Sequence, residues 1–172
     1  MFHTGLSRAA ACLFFSAAAV SVLCCCTKRL DTSSDDKYYN SYEKVVRSLS
    51  SENQKKFDDG MNMIWFYSED DAATKAELHG KTGEEILSLI DEKTAKLPTL
   101  DTSSREAFES SLKKIQDTLP SSKKKAYADF VNTLPAYRPG DRRLAGMNGL
   151  PFHKLVENFD FANGQNPDLQ KK

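Results

Sequence analysis

The pentapeptide LDTSS begins at Leu30 and again at Leu100, and the chain around it repeats at the same offset. Between 30–67 and 100–137, thirteen of 38 aligned pairs are identical. The apolar positions repeat as well. Tyr38, Tyr42, Val45 and Leu49 in the first copy answer to Phe108, Leu112, Ile115 and Leu119 in the second. Both series run i, i+4, i+7, i+11, which is one stripe of an amphipathic helix. Phe57, Met61 and Ile64, matched by Tyr127, Val131 and Leu134, predict a second helix in each copy.

The segments between these helices carry turn and cap chemistry. In LSSENQ, Ser51 and Gln54 have the spacing of a capping box. In LPSSKK, Pro120 interrupts the backbone hydrogen-bond ladder at the same boundary. Further on, a one-residue deletion aligns HGKTGEEILSLID with NGLPFHKLVENFD. This pairs Gly80 with Gly149, Ile86 with Leu155, Leu87 with Val156, Ile90 with Phe159 and Asp91 with Asp160. Each copy therefore reads helix, turn, helix, irregular link, glycine turn, short helix.

LDTSS itself reads as a helix start. Ser33 with Asp36, and Ser103 with Glu106, place a hydroxyl at the N-cap and a carboxylate three residues on. The acid also favours the positive end of the helix. Leu30 and Leu100 are placed to pack back on the new helix.

A unit of about sixty residues buries too little surface to be robust alone, so the two copies are expected to pack into one body. Ile64, Trp65 and Phe66 form an apolar cluster too wide for one helix stripe and are expected to reach the other copy. Pro135 stands in the second copy where the first has Trp65. The segment 161–172, FANGQNPDLQKK, is polar with Gly, Pro and Asn, and is expected to be an unstructured tail.

The N-terminus has a different composition. Arg8 precedes an apolar run from Ala9 to Leu23, the pattern of a secretory signal. At 15 residues the run is short for a spanning helix, which needs about 20. All four cysteines, Cys12, Cys24, Cys25 and Cys26, lie in the first 26 residues. Residues 27–172 therefore hold no disulfide framework and no thiolate metal site.

A cysteine closing a signal, ahead of a cysteine-free chain, resembles a bacterial lipoprotein, in which the residue after the cut carries a diacylglycerol. Cys26 has Leu23 three residues before it and is the expected lipidation site, with Cys25 the runner-up. Cys25 departs from the small residue usual just before the cut. Several acyl chains, at about 0.8 kcal/mol per buried methylene, would hold the chain on a membrane. Lys28 and Arg29 could add about 1 kcal/mol each near anionic headgroups. Thr27, rather than Asp, after the cysteine fits outer-membrane sorting by analogy with Gram-negative lipoproteins.

Chemical motifs are sparse. Lys+Arg and Asp+Glu balance at 24 each, against the basic excess of a nucleic-acid binder. HGKT at 79–82 ends like a phosphate-binding loop, but Lys75 stands where that motif needs Gly. Gly80 as a turn, Thr82 as N-cap and Glu85 closing a capping box account for the segment. His79 and His153 are the two histidines after the signal, and neither has an H-x-x-x-H partner for a metal. Asp58-Asp59 and Asp70-Asp71 read as solvated faces. DDKYY places aromatics beside charge. No cofactor is implied.

LDTSSREAFESSLKKI and LHGKTGEEIL, behind a lipoprotein signal, resemble a family of small bacterial lipoproteins of unknown function. Its members carry an L-x-G-K-T-x-x-E-I segment after a helix-rich region with a D-x-S-S-like cap. The second copy, NGLPFHKLV, lacks the K-T pair. The resemblance implies an envelope location and a helical domain, and it assigns no catalytic residue.

These readings predict an all-α fold. Its parts are a lipoprotein signal over 1–25, anchor and linker over 26–29, a helical repeat over 30–91, a linker over 92–99, a second repeat over 100–160, and the tail 161–172. The expected location is the bacterial cell envelope, at the outer membrane facing the periplasm. The expected role is a non-catalytic interaction or scaffold module that meets an envelope protein through a patch at Trp65, Phe66 and Tyr67. The alternative is a small-ligand binder or hydrolase working from a cleft between the repeats, with His79 and nearby carboxylates converging there.

Overall fold

The computed structural model describes residues 27–162, with side chains described as far as residue 157. The expected signal over 1–25, the lipidation candidates Cys25 and Cys26, and residues 163–172 lie outside the described residues. The described chain is all-α, with no β-strand among the described residues. Its first part comprises α1 (Asp35–Val46), α2 (Ser51–Phe66), α3 (Asp71–Leu78) and α4 (Gly83–Lys96). Its second comprises α5 (Arg105–Thr118), a 3-10 turn (Ser121–Lys123), α6 (Lys124–Thr133), α7 (Arg142–Ala145) and α8 (Phe152–Ala162). The last helix thus runs two residues into the segment expected to be a tail.

Each LDTSS segment does more than start a helix. The Leu30 N–H donates to the Lys81 carbonyl at 2.9 Å, and the Gly80 N–H donates back to the Leu30 carbonyl at 2.8 Å. Leu100 makes the corresponding pair, to the Leu150 carbonyl at 3.0 Å and from the Gly149 N–H at 2.7 Å. Gly80 and Gly149 hold φ of 74° and 78°, a left-handed conformation that glycine adopts without a Cβ clash. Both leucines are buried, at 1% and 0% exposure. The Asp31 N–H donates to Ser41 Oγ at 2.8 Å, and the Asp101 N–H donates to Ser111 Oγ at 3.0 Å.

The helix caps sit one residue later than expected. Ser34 Oγ accepts from the Lys37 N–H at 3.3 Å, and Ser104 Oγ accepts from the Ala107 N–H at 3.0 Å. Ser33 and Ser103 are displaced from the cap because their N–H groups are taken by the Asp31 and Asp101 carboxylates, at 3.0 and 2.9 Å. These short-range turns compete for the same donors. They also hold both carboxyls below the usual aspartate range. Likewise Ser50, not Ser51, caps α2, and Gln54 donates to the Leu49 carbonyl instead of closing a box. The full capping box at Thr82 and Glu85 is present, with bonds of 2.7 and 3.3 Å. Asp70 is no idle surface charge: its carboxylate caps α3.

The apolar stripes bury two clusters. Leu30, Val45, Phe57, Met61, Leu78, Ile86 and Ile90 belong to the first, and Leu100, Phe108, Ile115, Phe130, Phe152 and Leu155 to the second. In the α6 stripe, Phe130 is buried with Tyr127, whereas Val131 and Leu134 are half-buried. The α2–α4 contact is close because Gly60 faces Ile90; a Cβ at Gly60 would overlap that side chain. Phe66 and Tyr67 at the end of α2 join the clusters: both pack on the second, and Tyr67 touches the first as well. Glu69 accepts the Ser121 N–H at 2.8 Å, and the Lys123 ammonium lies 4.7 Å from the Phe66 ring centroid.

Candidate functional site

Trp65, Phe66 and Tyr67 do not form one exposed patch; all three are half-buried, Phe66 and Tyr67 against each other and His153, and Trp65 against α1. Consecutive residues at a helix end are turned about 100° from one another, so three aromatics in a row cannot share a face. Phe66 packs against Phe152, with ring centroids 5.9 Å apart. Tyr67 stands edge-on to His153 at 5.6 Å, and its hydroxyl accepts the His153 N–H at 3.4 Å. Burial pushes the Tyr67 phenol up. Trp65 turns the other way, onto α1, where its indole N–H donates to the Tyr38 hydroxyl at 3.3 Å.

That turn opens a groove of about 420 Å³ on the first unit, lined by Tyr38, Tyr39, Tyr42, Met61, Asn62 and Trp65, with Asp35 and Lys75 also in its wall. Tyr38 and Tyr42 are i, i+4 neighbours on one helix face, and Tyr39 is rotated outward to 69% exposure. The Tyr38 ring is at the centre: its centroid lies 5.5 Å from Tyr39, 5.7 Å from Tyr42 and 6.2 Å from Trp65. Tyr42 donates to the Asp58 carboxylate at 2.7 Å. Burial, and then that carboxylate, push its phenol well above the usual range. Lys75 pairs with Asp35 at 3.0 Å, which raises the lysine above its ordinary value. Tyr38 and Tyr42 belong to the α1 stripe, partly buried against the first cluster and lining the groove. The signal for the groove was the doubled tyrosine of DDKYY, because a helix cannot bury both.

A second groove, of about 470 Å³, lies between the units where α2 and α4 meet Pro151, His153 and Lys154. Its charged residues include Asp59 and the ion pair of Lys56 with Asp91, at 2.7 Å. His153 is 8% exposed, and its Nδ1 is buried without a hydrogen-bond partner. Burial holds His153 below the usual histidine value, Lys154 acts in the same direction, and Glu157 and Asp59 oppose them.

His79 does not enter this groove. Its Nδ1 accepts the Thr32 N–H at 3.2 Å and lies 3.9 Å from an Asp31 oxygen, at the LDTSS clip. In the second unit Asn148 does the same work, accepting the Thr102 N–H at 2.8 Å. The expected convergence of His79 with carboxylates in an inter-unit cleft is therefore corrected: the ring ties the LDTSS segment to the end of α3. Arg29 is tied to the body. Its guanidinium donates to the Gly80 carbonyl at 2.6 Å and lies 3.6 Å from Glu85.

Among the described residues no cluster of His, Cys, Asp and Glu is arranged to hold a metal ion, and no helix is long and apolar enough to cross a membrane. Protein-family models, curated proteins and solved structures were compared with the chain, and none matches it.

Proposed function

We propose that this chain is a lipid-anchored module of a bacterial envelope, built from two related helical units, that acts by non-catalytic binding at the aromatic groove of the first unit. The observation that carries the binding role is the groove itself. Tyr39 is a large exposed aromatic, set beside three other rings and a charge-balanced rim. The two histidines among the described residues are dispersed: His79 ties the LDTSS segment to the end of α3, and His153 packs on Phe66 and Tyr67. The alternative, a ligand binder or hydrolase in the cleft between the units, would have to use His153 in place of His79.

Kinship of the units is supported by bonds that recur at matching positions. The Leu30–Gly80 and Leu100–Gly149 exchanges, the Ser41 and Ser111 acceptors, and the Thr32–His79 and Thr102–Asn148 contacts are the same frame built twice. The anchor rests on the signal-like segment and Cys26, with Cys25 as runner-up. Arg29 is already bonded to the body, so lipid on Cys26 would hold that body within about 10 Å of its membrane at 3.3–3.6 Å per residue. Outer-membrane attachment facing the periplasm, with an envelope partner, completes the reading.

The reading is tested by mass analysis of the N-terminal peptide from membranes, with photo-crosslinking from position 39 in intact cells. Diacylglyceryl on Cys26 or Cys25, and crosslinks from 39 but not from the exposed Lys125 face, are expected. An unmodified N-terminus would remove the anchor, and no crosslink from position 39 would remove the binding face.

A further inference from the structure

Resting on the binding role proposed for the aromatic groove, we infer that its ligand is a neutral saccharide, with a pyranose ring seated against Tyr39 and Trp65. The first support is that the exposed aromatics of the groove are not repeated in the second unit. Core positions keep their character, but Tyr39 and Trp65 are replaced at matching positions by Glu109 and Pro135. Packing alone therefore does not require these aromatics.

The second support is the hydrogen-bonding inventory. Tyr38 accepts from Trp65, which leaves its own O–H free to donate. The Tyr39 hydroxyl and the Asn62 amide are on the exposed side. Asp35 offers acceptor oxygens and Lys75 offers donors, and their pairing makes the rim electrically neutral. Donors and acceptors thus alternate around aromatic faces. Sugar hydroxyls each donate and accept, and the C–H face of a pyranose suits the negative face of an aromatic ring. A proline-rich strand presents carbonyl acceptors and few donors, so it would use the groove's donors alone. The volume, about 420 Å³, falls within the range of about 300–1,000 Å³ for small-molecule sites.

Trp65 is the sole tryptophan, so indole emission reports directly on this groove. The detergent-extracted full chain would be titrated with chitotetraose, cellotetraose and maltotetraose. At least one is expected to give a saturable shift in emission with Kd below about 1 mM. Tyr39→Ala and Asn62→Ala, both at exposed positions, are expected to weaken it tenfold or more. No shift with any of the three, or a shift that Tyr39→Ala leaves unchanged, overturns the saccharide assignment. A proline-rich peptide that gives the Tyr39-dependent shift instead also overturns it, while leaving the groove as a binding face. Loss of the position-39 crosslink in cells strikes the binding role itself.

Discussion

His79 Nδ1 accepts the Thr32 N–H at 3.2 Å, and Asn148 Oδ1 accepts the Thr102 N–H at 2.8 Å: an imidazole and an amide do one job at matching points of the two units. The common requirement is an acceptor for the amide of the threonine in LDTSS. His79→Asn is therefore expected to retain stability within about 0.5 kcal/mol. His79→Leu is expected to lose about 1–2 kcal/mol, because the Thr32 amide is left without its acceptor. Urea unfolding of the two variants separates them; equal loss in both would show that ring packing, rather than the acceptor, matters.

His153 is expected to make folding acid-sensitive. Its folded value is held below 6.5, chiefly by burial, so the unfolded chain binds the proton more readily. Stability is then full above about 6.5 and falls as pH drops through that value, levelling off below the folded value. The carboxylates held low, Asp31, Asp101 and Glu85, lose their contribution only in the carboxylate range, from below about 4.5, so the two windows separate. His153→Phe removes the unpartnered Nδ1 while keeping a ring against Phe66 and Tyr67. It is expected to flatten the upper window and to gain about 1 kcal/mol at pH 7. Thermal melts across pH 4–8 check both; an unchanged upper window in the variant would assign it to another group.

How much of this was legible without coordinates depended on range. The α1 and α5 stripes were legible because a helix's period is local, and the Thr82–Glu85 box because it spans one turn. The Ser33 and Ser103 caps were misplaced by one residue because Asp31 and Asp101 compete for the same N–H groups. Apolar character at Trp65, Phe66 and Tyr67 was plain, but not which neighbour each would face. That depends on the helix end's rotation against α1 on one side and Phe152 on the other. The Leu30–Gly80 clip joins segments far apart in the chain, and only the pairing of Gly80 with Gly149 hinted at it.

Gly60 tests the closeness of α2 to α4. Alanine is the better helix former by about 1 kcal/mol, so an exposed site would gain from Gly60→Ala. Here the new Cβ would overlap Ile90, which is buried and has little room to move. Overpacking of this kind costs about 1–3 kcal/mol, so a net loss is expected. Ile90→Val removes the Cδ1 methyl and should recover part of it. A double-mutant cycle reads the coupling, and strict additivity would place the strain elsewhere.

The two clip glycines should respond alike. At Gly80 and Gly149 nothing lies within 4 Å of an added Cβ, so backbone conformation alone opposes substitution. With φ of 74° and 78°, Gly80→Ala and Gly149→Ala are each expected to cost about 1–2 kcal/mol. Asparagine tolerates the left-handed region better, so Gly80→Asn and Gly149→Asn should cost less than the alanines. Gly140 shares the conformation, at φ 78°, but lies outside the clip, so Gly140→Ala measures the backbone cost alone. If the clip residues lose distinctly more than Gly140 in chemical denaturation, the excess belongs to the bonds with Leu30 and Leu100. If all three lose the same, the clip bonds survive the substitution and the cost is conformational throughout.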